Sequence, residues 1–220
     1  MTDDTETVPT GKWEFNLAWS SESTKGTWLH EAPILDFNRG ISDRAHVNFE
    51  VPWVFVSEGG VAHSGIGNAG VGCKWRLVDA NGSMPAISIH PAIEFGISRR
   101  SSRLGLSDNC PVLIFPVAAQ WDLNGLGVNA ESGVVMQRGS PLGWVGGLAF
   151  GRMLGSFEAL AEVHGEGVCS TGESLWIGQV GLRKELRESS TLLFAFGRSI
   201  AAHKTESVRW TSYIALQFTF

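Results

Sequence analysis

The chain has 220 residues and a net charge of −5, and its charged fraction of 18% lies below the soluble norm of about 25%. No run approaches the roughly eighteen apolar residues of a membrane-spanning helix. An acidic balance without basic clusters argues against a nucleic-acid partner.

Residues 1–11 are polar and acidic, and their composition predicts a disordered lead-in. Met1 is followed by Thr-Asp-Asp-Thr-Glu-Thr, not by a basic and then an apolar stretch, so no leader peptide is expected in the chain as it stands. Residues 12–220 form one domain. From Lys12 the sequence breaks into alternating segments of about ten residues separated by Gly, Ser, Asn, Asp or Pro clusters, a spacing that predicts strands.

The first segment sets Trp13, Phe15, Leu17 and Trp19 against Glu14, Asn16 and Ala18. The second, 27–38, opens at Trp28 and changes parity, which a bulge near Pro33 explains. The third sets Val47, Phe49, Val51, Trp53 and Phe55 against Arg44, His46, Asn48 and Glu50. The fourth opposes Ala69, Val71, Cys73, Trp75 and Leu77 to Asn68, Lys74 and Arg76. In the fifth, Ile87, Ile89, Ile93 and Phe95 oppose Ser88, His90 and Glu94. In the sixth, Leu113, Phe115, Val117, Ala119 and Trp121 oppose Val112, Ile114, Pro116, Ala118, Gln120 and Asp122. Asn124-Gly125 then predicts a type I′ hairpin turn.

The seventh segment sets Val128 and Ala130 against Asn129 and Glu131, and the eighth sets Trp144, Leu148 and Phe150 against Gly147, Ala149 and Gly151. The ninth opposes Phe157, Ala159, Ala161 and Val163 to Glu158, Glu162, His164 and Glu166. The tenth carries Trp176, Val180 and Leu182 against Gln179 and Arg183, and the eleventh carries Leu192, Phe194 and Phe196. The last, 208–220, places Trp210, Ser212, Ile214, Leu216, Phe218 and Phe220 on one face and Arg209, Thr211, Tyr213, Gln217 and Thr219 on the other. Twelve strands result, an even number, with short turns at one rim and longer loops (57–66, 96–110, 167–173, 199–207) at the other. That asymmetry matches a transmembrane β-barrel, in which lipid permits no open sheet edge.

The tryptophans set the solvent. Trp19, Trp28, Trp53, Trp144, Trp176 and Trp210 fall near the long-loop rim. Trp13, Trp75 and Trp121 fall near the short-turn rim, joined by Phe218 and Phe220. Two aromatic girdles around an aliphatic belt mark a bilayer, whereas a soluble sandwich buries Trp at mid-strand. The opposite face carries Glu14, Arg44, His46, Glu50, Lys74, Arg76, His90, Glu94, Asp122, Glu131, Glu158, Glu162, His164, Arg183 and Arg209. So many charges suit a wet, internally paired lumen and not a dry core.

The stretches "PTGKWEFNL", "PILDFNRGISDRAHVNFEVPWVF", "GVGCKWRL", "LGWVGGLAFGR", "LAEVHGE", "GLRKEL" and the final "YIALQFTF" resemble the outer-membrane transporter-like family named after the meta-pathway of phenol degradation. The resemblance runs over most of the chain from about Pro9 and implies a barrel in a Gram-negative outer membrane that passes hydrophobic or aromatic compounds. It carries over no catalytic residues.

Individual residues leave several readings open. Glu158, Glu162 and Glu166 with His164 could form a cation or proton site, or could pair with Arg44, Lys74, Arg76, Arg183 or Arg209. Val112, Ile114, Pro116 and Ala118 make an apolar stripe inside a polar lumen, either a slide for an apolar solute or a surface packed by an inward loop. Ser88 and His90 share the inward face, but no third member completes a lipid-hydrolysing constellation. Cys110 and Cys169 both fall on long-rim loops, where a disulfide is geometrically allowed. No ligand spacing suggests a metal and no motif suggests a cofactor.

These features predict a twelve-stranded antiparallel transmembrane β-barrel of the bacterial outer membrane. Its expected role is porin-like transport of small hydrophobic or aromatic solutes through a narrow channel, without enzymatic activity. A non-conducting structural barrel with a packed lumen and an outer-membrane lipid hydrolase are the alternatives. Expected partners are outer-membrane lipids, small solutes, and the barrel assembly machinery, whose client signal the terminal aromatic resembles.

Overall fold

The computed structural model describes residue 2 and residues 4–220. Period-two alternation sends successive side chains to opposite faces, and the chain accordingly forms strands almost throughout. They are β1 (Trp13–Ser23), β2 (Thr27–Ser42), β3 (Ala45–Glu58), β4 (Val61–Ile66), β5 (Asn68–Val78), β6 (Ala86–Ile89), β7 (Ala92–Gly96), β8 (Val112–Asp122), β9 (Leu126–Gln137), β10 (Gly143–Leu154), β11 (Phe157–Val168), β12 (Ser174–Arg187), β13 (Ser190–His203) and β14 (Trp210–Thr219). A single helical turn, α1 (Arg99–Arg103), lies between β7 and β8.

Each strand pairs antiparallel with its neighbours, and β1 pairs with β14 from Glu14–Thr219 to Ser23–Trp210, so the sheet closes on itself. β4 and β5 make one wall strand interrupted at Gly67; β6 and β7 make another interrupted at His90-Pro91. The wall is therefore a closed 12-stranded antiparallel barrel. Pro91 has no N–H to give the ladder, yet its carbonyl accepts from Cys73 N–H at 3.1 Å, and His90 N–H donates to the Pro116 carbonyl at 3.2 Å. Two hydrogen bonds between Trp13 and Phe220, at 2.8 and 3.0 Å, close the seam at the short-turn rim.

Local features follow the sequence except in two expected loops: β13 runs to His203, into the expected loop 199–207, and the loop 57–66 is lost. Asn124 (φ 58) and Gly125 (φ 81) form the type I′ turn. The pairing of β2 with β3 shifts register between Glu31 and Ile34, and that of β1 with β2 between Ala18 and Ser20, the bulge that Pro33 suggested. Residues 57–66, expected as a long loop, instead continue the ladder: β3 runs to Glu58 and β4 returns from Val61. Gly59 and Gly60, at φ 56 and 84, supply a two-residue hairpin turn, and this Gly-Gly was missed as a turn signal.

The exterior is apolar and the interior polar. Leu17, Phe49, Val71, Leu113, Phe115, Val117, Leu148, Phe194 and Ile214 are exposed on the outer wall, while His46, Lys74 and Ser88 are buried facing inward. Water would reverse that distribution. At the outer rim Trp28 meets Trp210 edge-on at 5.2 Å and Trp144 lies 5.3 Å from Trp176. At the short-turn rim the Arg39 guanidinium sits 4.8 Å over the Trp13 ring.

The Trp144–Trp176 pair depends on a glycine of the strand between them. A Cβ at Gly165 would stand 2.6 Å from two Trp176 ring atoms, so the indole lies directly over that backbone. Gly165→Val should force the ring off β11 and cost about 1–3 kcal/mol. Urea unfolding in detergent, followed by Trp fluorescence, reads that loss.

Candidate functional site: the lumen

The N-terminal segment, expected as a disordered lead-in, turns inward and occupies the lumen; Met1 and Asp3 lie outside the described residues. Thr5 and Val8 are buried, at 2% and 6% exposure. Their composition gave no hydrophobic anchor, because the segment is held by polar contacts with the inner wall. Thr5 donates its N–H and its hydroxyl to Gln120 Oε1, at 3.2 and 2.7 Å. Val8 N–H donates to His46 Nδ1 at 3.1 Å, and Thr2 N–H donates to Glu162. Lys74 Nζ lies 3.4 Å from Asp4 Oδ1. The neighbouring Asp4 charge, followed by burial, pushes the Glu6 carboxyl above its usual value.

The segment enters at the short-turn rim. Gly11 N–H donates to the Gly40 carbonyl at 3.0 Å, and Thr10 donates to Asp43. Gly40 permits this approach: a Cβ there would stand 2.0 Å from the Pro9 carbonyl oxygen. At the opposite rim the loop carrying α1 folds against β4 and β7. Asn68 and Asp108 exchange hydrogen bonds at 2.6 and 2.9 Å, and Ser101 and Leu106 are buried. The lumen is thus narrowed from both ends around a cavity of about 980 Å³.

Strand register divides that cavity into two unlike walls. One row of inward residues runs Gln217, Asn16, Asp36, Glu50, Gly70, Glu94 and Val112 through successive pairings. Three of these are carboxylates. Asn16 Nδ2 donates to Asp36 Oδ2 at 2.9 Å and to Glu14 Oε1 at 3.2 Å, and Asn38 Nδ2 also donates to Asp36 at 2.9 Å. A second row runs Gly151, Leu160, Gly181, Ala195 and Tyr213 across β10 to β14. Ala18, Ile34 and Ala215, with Leu193, extend this apolar side, and Ile114 and Pro116 of the predicted stripe also line the cavity. Val112 and Ala118 share their inward face.

Most expected lumen charges fall where the cavity is. Glu14, His46, Glu50, Lys74, His90, Glu94, Glu131, Glu162 and Arg183 line it. Arg183 lies 3.4 Å from Glu158, and His164 Nδ1 lies 3.3 Å from Glu162, which also accepts from Gln179 at 2.5 Å.

Four residues depart from the expectation because they sit at or near the point where strand becomes turn. Arg44 is exposed and pairs with Asp79 outside the lumen. Asp122 is exposed and accepts the Gly125 N–H at 2.8 Å, capping its own hairpin. Arg209 precedes β14 and is exposed at the outer rim. Arg76 likewise turns to the short-turn rim, 3.0 Å from Asp79 and 3.0 Å from the Asp43 carbonyl.

The remaining candidates are placed as follows. Ser88 is 1% exposed, and His90 Nε2 is 3.0 Å from Asn48 Oδ1. Cys110 and Cys169 are both free thiols. One precedes β8 and the other follows β11, so three strand spacings of about 4.8 Å keep them beyond disulfide reach. Sequence reasoning omitted Asp4 and Glu6, hidden in an apparently featureless tail, and did not set Asp36 among the lumen acids because the Pro33 bulge blurred the parity of β2.

No family model and no curated protein matches this sequence. Solved structures do match its fold. The COG4313 outer membrane channel from Pseudomonas putida F1 aligns with a TM-score of 0.83 at 15% identity, over 100% of this chain and 99% of that one. The KdgM porin in complex with disordered oligogalacturonate aligns at 0.64 and 12% identity, over 93% and 99% of the two chains. The CymD monoaromatic hydrocarbon channel aligns at 0.53 and 8% identity, over 96% and 89%.

Proposed function

We propose that this protein is a narrow channel of the bacterial outer membrane that passes small solutes with an apolar face, aromatic compounds among them. The observation that carries the reading is the two-sided lumen. An acid row (Asp36, Glu50, Glu94) faces a row of small and apolar residues (Leu160, Gly181, Ala195) across one cavity. An aromatic ring can lie against the apolar side while its polar substituents meet the amides and carboxylates opposite. Anions meet repulsion, because the lumen cations Lys74 and Arg183 lie beside Asp4 and Glu158. Likeness in fold to channels, CymD included, supports this reading.

Planar-bilayer recordings of the purified barrel should show small, cation-preferring conductance, and liposomes should take up phenol-sized solutes faster than sugars. Glu50→Gln with Glu94→Gln should lower the cation-to-anion permeability ratio several-fold. An absence of both conductance and uptake, in wild type and after removal of the N-terminal segment, would favour a structural barrel. The N-terminal segment in the lumen is what keeps that second reading in view.

A further inference from the structure

Arg198 stands on the outer face of β13, where lipid is expected. Phe194, Phe196 and Ile200 share that face and are exposed, while Ala195 and Gly197 are buried on the inward side. Arg198 pairs with Gly178 of β12 and lies one step beyond the Gly197–Thr211 pair, hence beside Trp210. Trp176 is two residues before Gly178 on the same face. The guanidinium is therefore carried at the level of the outer indole girdle. Among the described wall residues, the other outward charges (Arg39, Arg152 and Lys184) lie toward the short-turn rim.

A guanidinium at this depth is within reach of headgroup anions. An arginine facing lipid costs about 2–4 kcal/mol at mid-bilayer and little at the interface, where it can reach a headgroup phosphate. The surroundings extend the positive sector. Arg209 is exposed at the rim next to Trp210, and Lys204 Nζ is held there by the Thr171 carbonyl at 2.6 Å. Glu206 is the opposing charge, accepting the Lys25 N–H at 2.9 Å. Gly178 carries no side chain between Trp176 and Val180, and the Ile200 side chain lies over its backbone, 3.0 Å from where a Cβ would stand, which leaves Val180 and Ile200 as an exposed apolar strip.

We propose that this outer face of β12–β14 binds one phosphorylated glycolipid of the outer leaflet. Its phosphate meets Arg198 and Arg209, its sugar lies against the Trp176 and Trp210 indoles, and an acyl chain lies along Val180 and Ile200. A planar fork of donors suits a phosphate oxygen pair, and indole edges suit a sugar at the membrane interface. The proposal rests on the outer-membrane reading with the long-loop rim outward, but not on any transport.

Binding is measured by native mass spectrometry of the full chain in a neutral detergent, so it can fail or succeed independently of conductance. The probe is a bisphosphorylated, hexaacylated glucosamine disaccharide; its dephosphorylated form and inorganic phosphate are the comparators. One adduct per barrel is expected, with Arg198→Gln weakening it about fivefold and R198Q/R209Q about 25-fold. Arg198→Lys should retain part of the affinity, and Arg152→Gln at the other rim should change nothing. Heat-modifiable gel mobility shows that each variant is folded. Equal binding of the dephosphorylated lipid, or unchanged binding by the folded double variant, overturns the proposal. So does displacement of the lipid by millimolar phosphate, which would mark a site for free anions.

Discussion

Deleting residues 2–8 is expected to raise single-channel conductance several-fold while the barrel still migrates as a folded, heat-modifiable species. The described ones, Thr2 and residues 4–8, occupy the lumen but contribute no strand to the wall, whose closure runs through Trp13 and Phe220. What is lost is a set of polar contacts, Thr5 to Gln120, Val8 to His46 and Asp4 to Lys74, each replaceable by water in a wet lumen. A single substitution should reproduce much of the effect. Gly40→Val places a Cβ 2.0 Å from the Pro9 carbonyl oxygen, and the resulting clash is expected to be relieved by expelling the segment and not by opening the strand ladder. If both variants conduct as the wild type does, the segment does not limit the passage.

Removing Phe220 should reduce the yield of inserted barrel sharply and leave the conductance of each inserted molecule unchanged. Two contributions are separable. The backbone of Phe220 makes both hydrogen bonds to Trp13 that close the seam, worth together about 1–3 kcal/mol. The ring, by contrast, is 65% exposed, so Phe220→Ala should barely alter the stability of a folded barrel in detergent. The assembly machinery, if it reads a terminal aromatic, will still discriminate against Phe220→Ala in cells. Equal membrane yields for wild type and Phe220→Ala would confine the role of this residue to the seam.

How far the sequence led depends on the kind of interaction involved. Alternation is local and unambiguous where one face meets lipid, so Trp53, Phe49 and Val47 against His46, Asn48 and Glu50 could be read directly from β3. Glycine pairs and prolines disturbed it. Gly59-Gly60 looked like a loop and proved a hairpin turn, and Pro33 hid Asp36 from the list of lumen acids although its parity is regular after the bulge. The N-terminal segment was illegible for a different reason. Thr5 and Val8 are buried by partners 115 and 38 residues distant, and no local pattern encodes a polar segment that docks on a polar wall. Arg44, Asp122 and Arg209 had the right parity for the lumen, but a side chain at a strand end can bend to the rim, which parity does not capture.

The Trp13–Phe220 seam has a consequence for the order of assembly. Pairing the first strand with the last joins residues nearly a whole chain length apart, the least local contact in the wall and one that becomes reachable only after the intervening hairpins have drawn the two ends together. Sealing is therefore the slow, final event, while the hairpins from β1 to β14 zip up locally. The lumen segment is tethered directly to β1, one of the two strands that wait for that event. It can swing into the half-formed cylinder while the gap is open. Once the seam shuts, its route in or out is through the short-turn mouth. Refolding followed in time should therefore show the Thr5 and Val8 amides, which donate to Gln120 and His46, becoming protected no later than the β1–β14 amides.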